Sequence, residues 1–579
     1  MNLQENHKEN TNQSATKNER LKCHTCYKDF SASVVFLCPD CNVPVIQEKN
    51  ENGNFCPECK SKLTYLASDL RPVYPKERLL FELIKKVPLK YIDDSVWCSN
   101  NKYYINGKVQ NLSNTELEKA DIEEIIDGLE KYKIQNEKNN FDFYIRKFCK
   151  VNKNRLDEIT DEAFSFVKEV ADSVNNENLV ISFSGGKDST VTADVVTKAL
   201  SNPSIVHIFG NTTLEFETTL EYAERYKKNH PYAIFMTAKN EDQTFMKVAE
   251  DIGPPARMMR WCCSMFKTGP ISRIQNNLFG TERITTFYGI RKVESVSRSK
   301  YNRIQKGGED VKIQKQTVAS PIFFWKDCDI WLYLTSNDVD FNDAYKLGYD
   351  RVGCWCCPNN NSRAQFLAQI YMKDKYKAWR EFLISFAKKV GKPDPEVYVD
   401  SGKWKARQGG NGLKSSEDVK IKFTNCTTEE HAKIYRINKR CDESFTNLFV
   451  PFGKVSKELG QKIINETLVL DVKTNVPIIS IQPFAKNDFD FAVKVKTMNA
   501  SDHEDLQRRI GYQVRKFNSC RQCLKCEALC TKGAISIIGN SYFIDETKCI
   551  HCKMCVSQKY LTGGCMMDKY LKTKAEEND

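Results

Sequence analysis

Between residues 156 and 174 the apolar side chains Leu156, Ile159, Ala163, Phe164, Val167, Val170, Ala171 and Val174 recur three and four positions apart. That spacing lines one face of a helix. The next apolar run, "LVISF" at 179–183, has the length of a strand and ends at two glycines, after which a second helical pattern begins. Further on, "SIVHIFG", "YAIFMTA" and "ITTFYGI" alternate with helical stretches such as "EFETTLEYAERYKK". Strands alternating with helices predict an α/β core with a doubly wound, mostly parallel sheet covered on both faces, running from about 150 to 410.

The rest of the 579-residue chain is too long to join that core and divides by composition. Residues 1–20 read as a polar tail with too few apolar groups to offset the entropy of ordering. Closely spaced cysteines dominate 21–65. Residues 66–149 read as a small α+β module in which "VWCS" and "KYYING" meet at an Asn-Asn turn. Residues 411–515, with "LVLDV" and "PIISIQ", read as an α+β connecting domain without a chemical motif, and 516–579 hold eight further cysteines. No window offers about 18 uninterrupted apolar residues, and the first residues lack the apolar centre of a secretory signal. The expectation is a cytoplasmic protein with no membrane partner.

The formal net charge of +12 admits a polyanion such as tRNA or DNA as partner. The 24 cysteines weaken that inference. Metal-bound thiolates are negative, and each four-cysteine site contributes about −2. Most of the cysteines lie in short-spaced groups, which in a reducing compartment favours metal sites over disulfides. Cys98, Cys149, Cys328, Cys426 and Cys441 stand apart and read as small buried hydrophobes.

The turn "SGGKDST" at 184–190 carries the first candidate chemistry. Gly185 and Gly186 let backbone N–H groups approach an anion, and the helix that follows adds its N-terminal donors and dipole. Lys187 supplies a point charge, and Ser184, Ser189 and Thr190 supply hydroxyls. Asp188 is suited to hold Mg²⁺ against phosphates. The spacing matches neither GxxxxGK[ST] nor GxGxxG, so a Walker loop and a Rossmann fingerprint are both excluded.

The turn resembles the SGGxDS pyrophosphate loop of the adenine nucleotide alpha hydrolase-like (PP-loop) superfamily. Within it, "FGNTTLEFETTLEY" at 209–222, "GPPARMMRWCCSMFKTGP" at 253–270, "GIRKVESVSR" at 289–298 and "YDRVGCWCCP" at 349–358 resemble, in order, segments of the phosphoadenosine phosphosulfate (PAPS) reductase family. The resemblance implies an adenine nucleotide or adenylylated sulfate as ligand. It also lifts Arg291 and Arg298 above solvated surface cations, beside Arg257, Arg260 and Lys267.

The cysteine groups add metals. Cys520, Cys523, Cys526 and Cys530 form C-x2-C-x2-C-x3-C, followed by Cys549, Cys552, Cys555 and Cys565. This resembles a two-cluster bacterial ferredoxin, which implies one [4Fe-4S] on Cys520, Cys523, Cys526 and Cys565 and another on Cys549, Cys552, Cys555 and Cys530. Thr531 stands where the ferredoxin pattern has proline, and nine residues separate Cys555 from Cys565. Near the N-terminus, paired C-x2-C knuckles suit tetrahedral zinc. Resemblance to a zinc ribbon selects Cys38, Cys41, Cys56 and Cys59, with Cys23 and Cys26 able to displace one pair or to bind a separate ion.

Cys262, Cys263, Cys354 and Cys357 resemble the ligands of a third [4Fe-4S] in adenylyl-sulfate reductases, against packing cysteines or zinc as the bland reading. Cys356 is left over, as a free thiol or a nucleophile. The resulting expectation is an oxidoreductase in which Lys187, Asp188 and Cys356 act on an adenylylated substrate. Its electrons come from an external donor through the C-terminal clusters. The family's reductases usually carry a degenerate loop and a Cys-Gly-containing tail, and this chain departs from both. Two other readings follow: an ATP-pyrophosphatase-type sulfurtransferase acting on tRNA or DNA, and a non-enzymatic zinc-ribbon nucleic-acid binder.

Overall fold

A computed structural model of the chain describes residues 21–22, 29–30, 33–307, 313–487, 490–539, 541–559 and 561–573. The expected tail at 1–20 and the thiols Cys23 and Cys26 lie outside the described residues.

The central sheet has six strands in the order Ile234–Ala238, Val206–Gly210, Leu179–Phe183, Ile284–Phe287, Gln316–Ala319 and Ile304–Gln305. All its pairings are parallel except the last, at the edge. Side chains alternate across it. Leu179, Ile181 and Phe183 enter one apolar cluster with the helices Lys153–Asp172, Lys187–Leu200 and Asp327–Ser336, while Val180 and Ile208 enter another with Ile271 of the helix Gly269–Phe279. Helices therefore cover both faces, as the alternation of elements predicts. The order turns at Leu179–Phe183, where later strands add first to one side and then to the other. Ligands of such sheets bind beyond the carboxyl end of that strand, which here is the glycine turn.

The helix predicted over 156–174 spans Lys153–Asp172. It stops earlier because the Ser173 hydroxyl bonds the Val170 carbonyl at 2.7 Å in place of the next helical turn.

Smaller sheets flank the core. Ser33–Cys38, Val43–Glu48 and Thr64–Ala67 form an antiparallel trio, and Arg71–Pro72, Val96–Ser99, Lys102–Ile105 and Lys108–Asn111 form a four-stranded meander. The stretch after 420 is a six-stranded antiparallel sheet, backed by the helix His503–Ser519. That helix leads directly into Cys520, and a hairpin, Ile535–Ile538 with Ser541–Ile544, lies between the two C-terminal cysteine runs. Among the described residues no helix is long and apolar enough to cross a membrane. Of the solitary cysteines, Cys98 and Cys328 are buried, whereas Cys149, Cys426 and Cys441 are half-buried.

One close approach sets the position of the glycine turn. A Cβ at Gly289 would lie 2.6 Å from the Asp188 carbonyl carbon and oxygen and 2.8 Å from the Ser189 nitrogen, all backbone atoms. Gly289→Ala should destabilise the chain by about 1–3 kcal/mol. Denaturant unfolding checks this, and an unchanged midpoint would contradict it.

Candidate functional site

The strand Leu179–Phe183 ends at Ser184, and Gly185 turns the chain at φ +71°, a left-handed conformation that glycine adopts without strain. The helix then begins at Lys187. Asn342 supports the turn by donating to the Gly185 carbonyl at 3.0 Å and to Thr219 Oγ1 at 2.8 Å. Thr190 Oγ1 meets the Tyr222 hydroxyl at 2.8 Å. Two amides of the turn already have partners. The Ser184 N–H donates to Ser189 Oγ at 3.1 Å, and the Lys187 N–H donates to the Tyr345 hydroxyl at 2.9 Å. Hydroxyl oxygens thus stand where oxygens of an anion would.

Lys187, Asp188 and Arg291 come together with a fourth residue, Asp327. Arg291 Nε lies 2.6 Å from Asp188 Oδ1 and its Nη2 2.8 Å from Asp327 Oδ1. Lys187 Nζ lies 3.5 Å from Asp188 Oδ2 and 3.2 Å from Asp327 Oδ1. Burial would raise the Asp188 carboxyl, but Arg291 and then Lys187 outweigh it and hold the group below the usual carboxylate range. Burial likewise would lower Lys187, and Asp188 and Asp327 hold it above its ordinary value. Asp69 receives the Asp327 and Cys328 amides at 2.9 and 3.0 Å. The positive charge of Lys187 and Arg291 is therefore balanced within the protein.

Further cations lie beside the Cys354–Cys357 loop, two of them without carboxylate partners among the described residues. Arg298 pairs with Glu294 and is lowered by burial and then by Arg351, a like charge close by. Arg351 and Arg260 are exposed, and none of the ion pairs among the described residues includes either. Arg257 is exposed, with Nε 3.5 Å from the Pro358 carbonyl.

The core cysteines border these cations, since Cys357 feels Arg351 and Arg260 after burial, the Asn359 backbone and Cys263. Cys262 and Cys263 open a short helical turn that continues as a π-helix, Ser264–Thr268, a distortion common at functional sites. Cys354 joins the edge of the core through a bridge to Glu215, with its Sγ 3.5 Å from Thr212 Oγ1. The Cys262 thiol is pushed well up, first by a hydrogen bond with Cys263, then by burial and by the charges of Cys263, Cys354 and Cys357, so the four thiols share one neighbourhood. Cys356 lies close to this group and feels Cys354 and Cys357 after burial. It is 6% exposed, in an apolar cluster with Trp261 and Trp379, and burial pushes its thiol well above the ordinary range. A nucleophile at Cys356 would need this loop to open.

A buried network fixes the loop from behind. Arg71 grips Glu77 at 2.6 and 2.7 Å and reaches Asp350 at 2.8 Å, and Arg363 joins Glu77 at 2.5 Å. The Asp350 carbonyl lies 3.4 Å from Lys187 Nζ, linking the cysteine loop to the glycine turn. Pattern reading missed Asp69, Asp327, Tyr345 and Asp350. Asp327 reads as an ordinary acid opening a helix, and the others act across 100 or more residues of sequence.

The C-terminal cysteines lie near one another, and Cys526 acts on members of both runs. Burial raises Cys523 and Cys565, and next come the charges of Cys565, Cys526 and Cys520 on Cys523, and of Cys526 and Cys520 on Cys565. Cys549 feels Cys530 and Cys552 after burial and the His551 backbone, and Cys555 feels Cys526, Cys530 and Cys552 after burial and Lys516. Both runs share a backbone device. Gln522 and Leu524 flank Cys523 at φ 57° and 58°, and His551 and Lys553 flank Cys552 at φ 52° and 60°. Left-handed conformations cost non-glycine residues roughly 1 kcal/mol or more each. They turn the chain sharply on both sides of the middle cysteine of each run.

Cys38, Cys41, Cys56 and Cys59 have thiols all within 4.8 Å of one another, including Cys38–Cys59 at 3.3 Å. Asn42 and Lys60, each following the second cysteine of a knuckle, take φ 54° and 64°. The Cys41 N–H donates to Cys38 Sγ at 3.3 Å. Four thiols at this separation fit one tetrahedral ion.

The C-terminal thiols also meet the core. Cys523, Cys565, Met567 and Tyr570 share one buried cluster with Trp261 and Cys356, against which Cys262 and Cys354 pack. A Cβ at Gly269 would lie 2.3 Å from Leu524 Cβ. Gln243 donates to Gln522 at 2.6 Å, Arg521 pairs with Asp251 and Asp418 at 2.6 Å each, and Arg273 pairs with Glu527 at 2.9 Å.

A parallel sheet whose order turns at one strand, with a glycine turn and helix N-terminus at that strand's end, is a doubly wound α/β core with its ligand crevice at that turn. Residues 178–360 match the model of the phosphoadenosine phosphosulfate reductase domain. The chain is 29% identical over 326 residues to an uncharacterized protein of Methanocaldococcus jannaschii, covering 55% of this chain and 74% of that one. It is 30% identical over 266 residues to a second protein of that organism, covering 46% and 52%. To adenosine 5'-phosphosulfate reductase 1 of Bacillus subtilis it is 29% identical over 183 residues, covering 31% and 73%. The phosphoadenylyl-sulfate reductase of Candida auris, solved with phosphate, superposes with a TM-score of 0.27 at 17% identity over 35% of this chain and 95% of that one.

Removing the hydroxyl that occupies the Lys187 amide should strengthen anion binding. Tyr345→Phe is expected to bind AMP about fivefold more tightly, the worth of one neutral hydrogen bond. Titration calorimetry against the parent checks this, and equal or weaker binding would contradict it.

Proposed function

We propose that the chain is an iron-sulfur oxidoreductase that binds adenylylated sulfate at the 184–190 turn and releases sulfite and AMP. The family match and the kinship with adenosine 5'-phosphosulfate reductases support the substrate class. The observation that carries the reading is the shared buried cluster in which Cys523 and Cys565 meet Cys356, with Cys262 and Cys354 packed against it. In this reading Cys520, Cys523, Cys526 and Cys565, then Cys530, Cys549, Cys552 and Cys555, hold two [4Fe-4S] clusters. Cys262, Cys263, Cys354 and Cys357 hold a third, and Cys38, Cys41, Cys56 and Cys59 hold zinc. When bound, the clusters supply single electrons.

The chain's own residues orient the substrate. Free amides of the turn and the helix N-terminus receive the nucleotide phosphate, and Arg298 and Arg351, with Arg257 and Arg260 nearby, receive the sulfo group. Asp188 and Asp327 keep Lys187 and Arg291 in place, and they remain available to Mg²⁺ if ATP is bound. Overall, the S–O bond to the adenylate breaks, AMP leaves with the bridging oxygen, and sulfur takes up two electrons in passing from sulfate to sulfite.

Anaerobic preparation with iron, sulfide and zinc analysis, followed by parallel assays, tests the reading. Adenylyl sulfate with a reductant should yield sulfite and AMP. Conversion of ATP to AMP and pyrophosphate would favour the sulfurtransferase reading instead, and salt-sensitive nucleic-acid binding without turnover would favour the non-enzymatic one. The double variant Cys523→Ser/Cys526→Ser should lose about one third of the iron and all reductant-dependent turnover while still binding AMP. Full turnover after that loss would refute the electron route.

A further inference from the structure

The two C-terminal thiol groups differ in exposure, and that difference assigns a direction. Cys523, Cys526 and Cys565 are at most 9% exposed, Cys520 is half-buried, and the run sits against the core, held there by Leu524, Gln522 and Arg521. Of the second group, Cys552 is exposed and Cys530, Cys549 and Cys555 are half-buried. This second loop is where the inner thiols can exchange electrons with another molecule.

The surface around it has a distinct chemistry. Ser536 pairs with Phe543 and Ile538 with Ser541, so Ile538 and Phe543 project from one face of the hairpin while Ile535, Ile537 and Ile544 are buried on the other. Ile538, Phe543 and Ile550 are 66%, 52% and 57% exposed, and Ile550 directly follows Cys549. Lys532, two residues after Cys530, and Lys553, between Cys552 and Cys555, are both exposed, and no carboxylate pairs with either among the described residues. Lys454 and Lys548 are exposed nearby. Lys548 pairs with Asp545 at 3.1 Å, and Glu546 accepts the Val455 N–H at 3.3 Å. Exposed apolar side chains with a lysine rim fit a protein surface of opposite charge, and apolar contact of this kind has no counterpart in a phosphate backbone.

We propose that the face formed by Ile538, Phe543 and Ile550, rimmed by Lys532, Lys548 and Lys553, docks an acidic protein that carries one electron at a time. Electrons then pass to the Cys530/Cys549/Cys552/Cys555 site and inward. This deepens the reading above and rests on these cysteines holding iron. Each encounter oxidises the carrier by one electron and reduces the bound iron by one, with no bond made or broken. Two encounters supply the pair that converts sulfate-level to sulfite-level sulfur.

The test uses the full chain, anaerobically reconstituted, with a reduced acidic two-cluster bacterial ferredoxin as probe. The second-order rate of electron transfer is followed by stopped-flow absorbance at low and high salt. Lys532→Glu/Lys553→Glu should slow transfer at low salt by about tenfold or more. The parent should slow as salt rises, and the variant should lose that dependence. Iron content and reduction by dithionite should match the parent. Lys102→Glu/Lys108→Glu, with the same change in net charge on the distant four-stranded sheet, should transfer at the parent's rate. Equal rates in parent and Lys532/Lys553 variant, equal slowing in both variants, or tighter binding of a single-stranded oligonucleotide than of the ferredoxin would overturn the docking face alone. A parent chain without iron would overturn the underlying reading and the docking face with it.

Discussion

The contact between Leu524 and Gly269 is the constraint on which the arrangement depends. Leu524 lies in the middle of the Cys520–Cys526 run, and Gly269 opens the helix that directly follows the π-turn after Cys262 and Cys263. Any side chain at 269 would collide with Leu524, and interiors this closely packed yield little. With glycine there, the cysteine run settles against the core and its thiols enter the same apolar cluster as Trp261 and Cys356. Flanking ion pairs at Arg521 and Arg273 fix the orientation, and burial supplies most of the adhesion.

Charge is handled differently at the two ends of the site. At the glycine turn two cations face two carboxylates in a buried, hydrogen-bonded quartet. Breaking such a set is costly because it leaves a buried charge unpaired. The quartet therefore shapes the turn more than it attracts a ligand. Beside the core cysteines, Arg260 and Arg351 stand without carboxylates among the described residues, and Arg298 lies close enough to Arg351 to be lowered by it. An anion with two charged ends would be held by backbone dipoles at one end and guanidinium groups at the other.

Much of this was legible along the chain. The strand, glycine turn and helix at 179–200 follow from apolar periodicity, and the parallel core follows from alternating elements. Cysteine spacing marked the groups, and the shared 4.8 Å neighbourhood of Cys38, Cys41, Cys56 and Cys59 agrees with knuckle spacing. What stayed hidden depends on tertiary contact. Asp327 reaches Lys187 and Arg291 only after the sheet forms. Tyr345 covers an amide 158 positions away, and Leu524 is one leucine among many until it meets Gly269. The left-handed residues Gln522, Leu524, His551 and Lys553 are not types that announce such backbone. The antiparallel sheet after 420 was only partly legible, as "LVLDV" and "PIISIQ", because its pairings join strands as far apart as Ala432–Arg436 and Asp490–Thr497.

The most direct test of the central claim, that the inner C-terminal site and the core cysteine site are electronically adjacent, is electron paramagnetic resonance of the reduced full chain and of Gly269→Val. The account predicts about twelve irons in the parent and a core signal broadened by magnetic interaction with its neighbour. That broadening should disappear when valine wedges the contact apart. Narrow, non-interacting signals in the parent, identical to those of the variant, would contradict it.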